Sequence, residues 1–167
     1  MAANSLFDRQ MAMYASYHRD ARNRATHFIG IPAIVFSLLV PLAFVRFDVG
    51  GTIISLALVV AAAVLALWLT LDIAIGAAMA LILFPMWLAA EWIAGLDRLT
   101  GWIVFAVFFV GGWAFQLVGH VYEGKRPALL DNLFQALIGP MFLMAEVFGW
   151  LGLRHGHVTN DGPKRTH

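Results

Sequence analysis

From residue 28 to residue 153 the chain is a succession of apolar runs separated by short breaks of polar and turn-forming residues. A helix crossing the hydrocarbon of a bilayer needs about 20 mostly apolar residues, because no water is available there to replace a lost backbone hydrogen bond. Four runs come to that length: 28–45, 52–71, 73–94 and 102–122. The breaks are 46–51, rich in turn residues, a joint at Asp72 so tight that it implies a hairpin, and 95–101 with Asp97 and Arg98. A fifth run, 128–153, is punctuated by Asp131, Asn132, Gln135 and Glu146, and Gly139-Pro140 is expected to kink it. The expected fold is all-α and membrane-integral. It has four transmembrane helices, an interfacial amino-terminal helix and a kinked carboxyl-terminal segment that is re-entrant or interfacial.

The first 27 residues are too polar for the apolar core of a secretory signal, since Asp8, Arg9, Arg19, Asp20, Arg22 and Arg24 interrupt them. Leu6, Phe7, Met11, Met13, Tyr14 and Tyr17 fall largely along one side, which predicts an amphipathic helix lying in the interface. The single membrane domain therefore divides into a head (1–27), a helical bundle (28–153) and a polar, frayed tail (154–167).

Composition supports the pattern. Apolar residues make up 61% of the 167-residue chain and charged ones 13%, against roughly 45–50% and 25% in soluble proteins. A net charge of +1 leaves no basic surplus for a nucleic-acid backbone. The absence of cysteine excludes disulfides, thiolate nucleophiles and iron–sulfur clusters, so any metal is held by histidine nitrogen and carboxylate or amide oxygen. Four spans put nine cations (Arg9, Arg19, Arg22, Arg24, Lys125, Arg126, Arg154, Lys164, Arg165) on one face and only Arg46 and Arg98 on the other. A fifth crossing would split them six against five. The cation bias thus predicts four spans with both termini cytoplasmic.

That topology brings the head and the end of the fourth span to one face. Gln116, His120 and Glu123, spaced four and three apart, share one helical stripe flanked by Gly112 and Gly119. Such a stripe at membrane depth is either a functional site or a helix end in which His120 and Glu123 pair with each other or with Arg126. In the head, His18 and His27 would point to opposite sides of an unbroken helix. Asn23, a good amino-terminal cap, suggests a break near residues 19–22 that lets both imidazoles converge, while Gly30 and Pro32 let a neighbouring backbone approach. Taken alone, two interfacial histidines are more often headgroup-level anchors than ligands. His155 and His157 sit in the polar tail and suit adventitious metal binding; Glu146, set among apolar residues, is a candidate ligand or ligand support.

Tyr17-His18, Asn23, His27-Phe28-Ile29-Gly30-Ile31-Pro32, Gln116-Leu117-Val118-Gly119-His120-Val121-Tyr122-Glu123 with Pro127-Ala128, and Pro140 with Glu146 together resemble the pattern of the membrane-bound 2-hydroxy fatty acid dioxygenases, from about residue 6 to 153. The resemblance implies an iron(II) enzyme that shortens a 2-hydroxy fatty acid by one carbon with dioxygen. It makes His18, His27, His120 and Glu123 the candidate metal ligands, with Arg22, Asn23, Arg24, Gln116 and Arg126 as candidate substrate contacts. The ligand types agree, since iron(II) oxygenases commonly use histidines and a carboxylate and keep positions open for dioxygen and substrate. Arginines suit the substrate carboxylate, and membrane lipid surrounds the acyl chain. The competing reading is a non-enzymatic lipid-binding or scaffold protein whose polar stripe locks helix packing. A transporter is less suited, because the polar groups gather at one face and not at the midplane.

Overall fold

The computed structural model describes residues 5–124 and 134–153. Among these residues there are six helices and one two-stranded hairpin. Helix α1 (Leu6–Ser16) starts with a reciprocal cap: the Ser5 hydroxyl accepts from the Asp8 backbone N–H, and the Asp8 carboxylate accepts from that of Ser5. Its apolar side was expected to rest in the interface. Instead Phe7, Met11 and Tyr14 are buried, and Tyr14 packs on Phe142 of the last helix, with ring centroids 4.8 Å apart.

Helix α2 (Ala21–Ala43) corrects the expected cap. Asp20, not Asn23, precedes it and accepts the Arg22 N–H at 2.8 Å. Aspartate caps as well as asparagine does, and here it also receives the Arg22 guanidinium. The chain does break between the histidines, slightly earlier than expected. The first membrane helix therefore includes the polar turn from Ala21 to His27 as well as the apolar run.

The break at 46–51 is the tip of an antiparallel hairpin, β1 (Arg46–Val49) and β2 (Thr52–Ser55), turned by Gly50 and Gly51 with φ of 63° and 87°. The second apolar run consequently begins as a strand, and its helix α3 (Leu56–Leu71) has 16 residues instead of the expected 20. Asp72 ends α3 and caps α4 (Ile73–Ala94), its carboxylate accepting from Ile75 N–H at 2.9 Å, which is the expected hairpin joint. Glu91 of α4 gathers Arg46, Ser55 and Trp87 and so fastens the β-hairpin to the bundle. Helix α5 (Arg98–Glu123) ends at Gly124, whose φ of 68° closes it with a left-handed residue.

Three helices, α2, α4 and α5, are long and apolar enough to cross a membrane, and α3 is a shorter apolar helix. The fifth run contains α6 (Gln135–Trp150), which continues through Gly139-Pro140 and buries every residue from Ile138 to Glu146. It packs between α1, α2 and α4, so protein encloses much of a segment expected to be re-entrant or interfacial. Trp68 is also buried, its indole N–H donating to the Leu137 carbonyl at 2.9 Å. The tail beyond Leu153 lies outside the described residues.

The site is positioned by the antiparallel contact of α2 and α5, the most extensive in the bundle. A Cβ on Gly112 would lie 2.9 Å from the Gly30 carbonyl oxygen, and one on Gly119 would lie 2.2 Å from Thr26 Oγ1 and 2.5 Å from Asn23 Oδ1. Such distances leave no room for a methyl group, so the two backbones meet along a strip of glycine. Gly111, next along the helix, has open space around it. Gly112→Ala is accordingly expected to cost about 1–3 kcal/mol through overpacking. Gly111→Ala is expected to leave stability unchanged or raise it by up to about 1 kcal/mol. Thermal unfolding of the two variants in detergent checks both, and equal midpoints would contradict the close approach.

Candidate metal centre

The short break between α1 and α2 turns His18 back over its own helix. Its Nδ1 lies 2.7 Å from the Tyr14 carbonyl oxygen, and its ring stacks on the Tyr14 ring at 4.0 Å with planes 5° apart. Nearly two turns into α2, the Nδ1 of His27 lies 2.8 Å from the Asn23 carbonyl oxygen. The two Nε2 atoms then face each other at 3.0 Å. His120, brought in by α5 across the glycine strip, sets its ring 5.2 Å from that of His18 and 5.0 Å from that of His27. All three side chains are at least 94% buried, and their ligand atoms lie within 4.8 Å of one another, a group that could hold a metal ion.

The hydrogen bonds assign the tautomers. A carbonyl oxygen only accepts, so the Nδ1 of His18 and of His27 each carry the proton. In the neutral rings both Nε2 atoms are then bare lone pairs, directed at each other across 3.0 Å in a buried pocket. A cation between them satisfies both at once. Protonating the rings does not suit the site either: burial pushes His18 from the ordinary 6.5 down to about 4, and His120 and Arg24 add to this against the opposing Tyr14 carbonyl and Glu123. His18 is therefore neutral near pH 7, the form in which imidazole ligates metals. Nδ1–H bonded to a carbonyl and Nε2 free is the usual arrangement of a metal-binding histidine.

Glu123 is engaged elsewhere. Its Oε1 accepts the Arg19 backbone N–H at 2.9 Å, and its Oε2 accepts the Asp20 N–H at 2.8 Å and the Asn23 side-chain amide at 3.1 Å. The structure thus unites three of the four expected ligands and sets the fourth beside them, as a clamp on the turn that presents His18. Asn23 completes the clamp by donating to the Tyr17 carbonyl at 3.2 Å.

Gln116 lines the cavity that the histidines open on, a space of about 110 Å³, and its amide nitrogen is buried with no hydrogen-bond partner among the described residues. Arg24 reaches the buried carboxylate of Glu146 at 3.6 Å. Arg22 turns outward, held by Asp20 at 2.9 Å and lying over the Tyr122 ring. Arg126, His155 and His157 lie outside the described residues. Two contributors escaped the sequence analysis. Tyr14 was read as part of an apolar face, although its place four residues before His18 marks the carbonyl that orients that ring. Gln135 was read as a polar interruption, yet it lines the same cavity and donates to Gln10.

The family model for 2-hydroxy-palmitic acid dioxygenase Mpo1-like proteins matches residues 4–151. The chain is 34% identical over 145 residues to the 2-hydroxy-palmitic acid dioxygenase MPO1 of Saccharomyces cerevisiae, covering 86% of this chain and 80% of that protein. No solved structure matches it.

Since Glu123 holds two backbone N–H groups of the His18 turn, Glu123→Gln replaces one acceptor oxygen by a donor and releases the turn. Metal affinity measured by titration of the metal-free protein is expected to fall roughly 10- to 100-fold, the range found when groups supporting a ligand are removed. Asp48→Asn, in the distant hairpin, should leave it unchanged. Full affinity in Glu123→Gln would show that the clamp does not position His18.

Proposed function

As the chain belongs to the Mpo1-like family of 2-hydroxy-palmitic acid dioxygenases, we propose that it is an iron(II)-dependent dioxygenase that converts a 2-hydroxy fatty acid to the acid one carbon shorter. The observation that carries the reading is the pair of opposed Nε2 atoms at 3.0 Å beside His120, an arrangement that a bound cation would satisfy. His18, His27 and His120 are the ligands in this proposal, and Glu123 keeps the first of them in place.

When bound there, iron(II) supplies open positions at which substrate and dioxygen meet. The reaction balances without another reductant: R–CH(OH)–COOH and O₂ give R–COOH, CO₂ and H₂O. The bond between C1 and C2 breaks, C2 is oxidised to a carboxyl carbon, C1 leaves as CO₂, and dioxygen takes the four electrons. The chain's residues have three tasks. Gln116, with an unpartnered amide nitrogen in the cavity, donates to a substrate oxygen. Ile31, Ile34 and Trp113 close the cavity with apolar surface and limit water around the reacting end. Arg24, within reach of bulk solvent but paired with buried Glu146, supplies positive charge that favours the arriving carboxylate.

Protein supplied with iron(II), dioxygen and a long-chain 2-hydroxy acid is expected to release the shortened acid and CO₂. His120→Ala should abolish both turnover and stoichiometric iron, whereas His155→Ala should change neither. Fully iron-loaded protein that leaves 2-hydroxy acids of every chain length untouched would overturn the reading.

The same proposal includes four spans, α2 to α5, with both termini cytoplasmic, supported by the nine-to-two distribution of cations. The chain has no native thiol, so cysteines introduced at Asn4 and Thr166 report directly. Both should resist impermeant reagents applied from the outer side, and labelling at Thr166 alone would mean that α6 crosses.

A further inference from the structure

Two cavities meet at α2. Ile31 and Val35, which line the histidine cavity, also line a second one of about 250 Å³, more than twice the volume of the first at about 110 Å³. His27, Ile31 and Val35 stand four residues apart along a single face of α2, so one stripe leads from a metal ligand to the second cavity. The first cavity carries the polar groups, and the second has almost none. Its walls include Trp68 of α3, Met79, Leu83 and Met86 of α4, and Leu143 and Met144 of α6. The indole N–H of Trp68 is already committed to Leu137, so it presents no donor.

This space differs from the bundle's outer grooves. The groove between α3 and α4 is bordered by those two helices alone, with Leu81 and Phe84 79% and 59% exposed, as expected of a surface covered by bilayer lipid. The second cavity lies among four helices, and Trp68, Met79 and Leu83 on its walls are buried. Three methionines give it walls that adapt to a flexible occupant.

We propose that this second cavity receives the acyl chain of the 2-hydroxy acid, with Ile31 as the sill between the reacting end and the tail, and with Met79 and Leu83 setting the chain length accepted. The proposal rests on the dioxygenase reading for its substrate class. It places C1, C2 and the hydroxyl among the histidines and Gln116, while the chain passes over Ile31 into the apolar space. Each methylene kept out of the cavity should lower kcat/KM about fourfold, the transfer free energy of one methylene expressed as a ratio.

Two measurements test it. Leu83→Trp fills the cavity and should lower kcat/KM for long-chain 2-hydroxy acids on the order of 100-fold, equivalent to three or four excluded methylenes, while short-chain acids are turned over as by the unaltered protein. Met79→Ala should shift the preference toward longer chains. Metal affinity equal to that of the unaltered protein identifies the variants that have folded. In the second measurement, a long-chain 2-hydroxy acid bearing a diazirine near its methyl end is photolysed with the metal-free protein, where no turnover is required. Adducts at Met79 or Met86 support the proposal; adducts confined to Leu81, Leu83 and Phe84, which line the outer groove, overturn it, as does an unchanged chain-length preference in folded Leu83→Trp. If the unaltered, metal-loaded protein turns over no 2-hydroxy acid, the dioxygenase reading fails, and the photolabelling alone decides whether the cavity holds an acyl chain.

Discussion

The glycine strip between α2 and α5 is the constraint on which the rest of the structure depends. With Gly30 against Gly112 and Gly119 against Thr26 and Asn23, the two backbones approach until side-chain volume is excluded. His27 and His120 project from these two helices. They meet because the axes are close, and Glu123 reaches the turn after His18 for the same reason. A wider separation would leave the carboxylate short of Arg19 and Asp20 and break the three-histidine group. Between the helices of a membrane protein the hydrophobic effect supplies little attraction, so close van der Waals contact has to hold them. Here the same contact sets the geometry of the site.

The electrostatics follow from burial. Burial makes the His18 imidazole resist protonation, and His18 and His27 have each given their one proton to a backbone carbonyl. What remains, beside His120, is a pair of Nε2 lone pairs facing each other, which a divalent ion would satisfy. Nearby, Glu123 is balanced by three N–H donors and Glu146 by Arg24. The acidic groups are thus satisfied by the protein itself, whereas the three histidines form a group that could hold a metal ion.

Much of this was legible in the sequence, and the rest was hidden for identifiable reasons. Helical periodicity placed Gln116, His120 and Glu123 on one stripe, and the nine-residue separation of His18 and His27 required a break, which the structure has. The position of that break was ambiguous because Asp20 and Asn23 are equally good caps three residues apart. Whether Asp20 wins depends on Arg22 and on Glu123, which is recruited from a hundred residues away. Spacing tells which face a carboxylate occupies and not what it will meet there, so Glu123 could be read as a ligand as easily as a clamp. The strand at Thr52–Ser55 was absorbed into an apolar run since Ile53 and Ile54 continue directly into the apolar helix, and a short β-segment and a helix start look alike there. Gly112 and Gly119 stood out as small residues beside the stripe. Their partners Gly30, Thr26 and Asn23 could be identified only from the packed helices.

The tie between Glu123 and the backbone at Arg19 closes a loop of 104 residues, and this gives the centre a place in the order of biosynthesis. His18 and His27 leave the ribosome early, with the first membrane helix. They have to wait through a hairpin of strands and a hairpin of helices before His120 arrives with α5. Until then the early histidines are an incomplete set with weak claim on any ion. Since a site of this kind takes up metal with the free energy of the finished assembly, metal bound at the three histidines would be a readout of completed insertion. A chain stalled or truncated before α5 would carry two of the three histidines and yet be unable to assemble the centre.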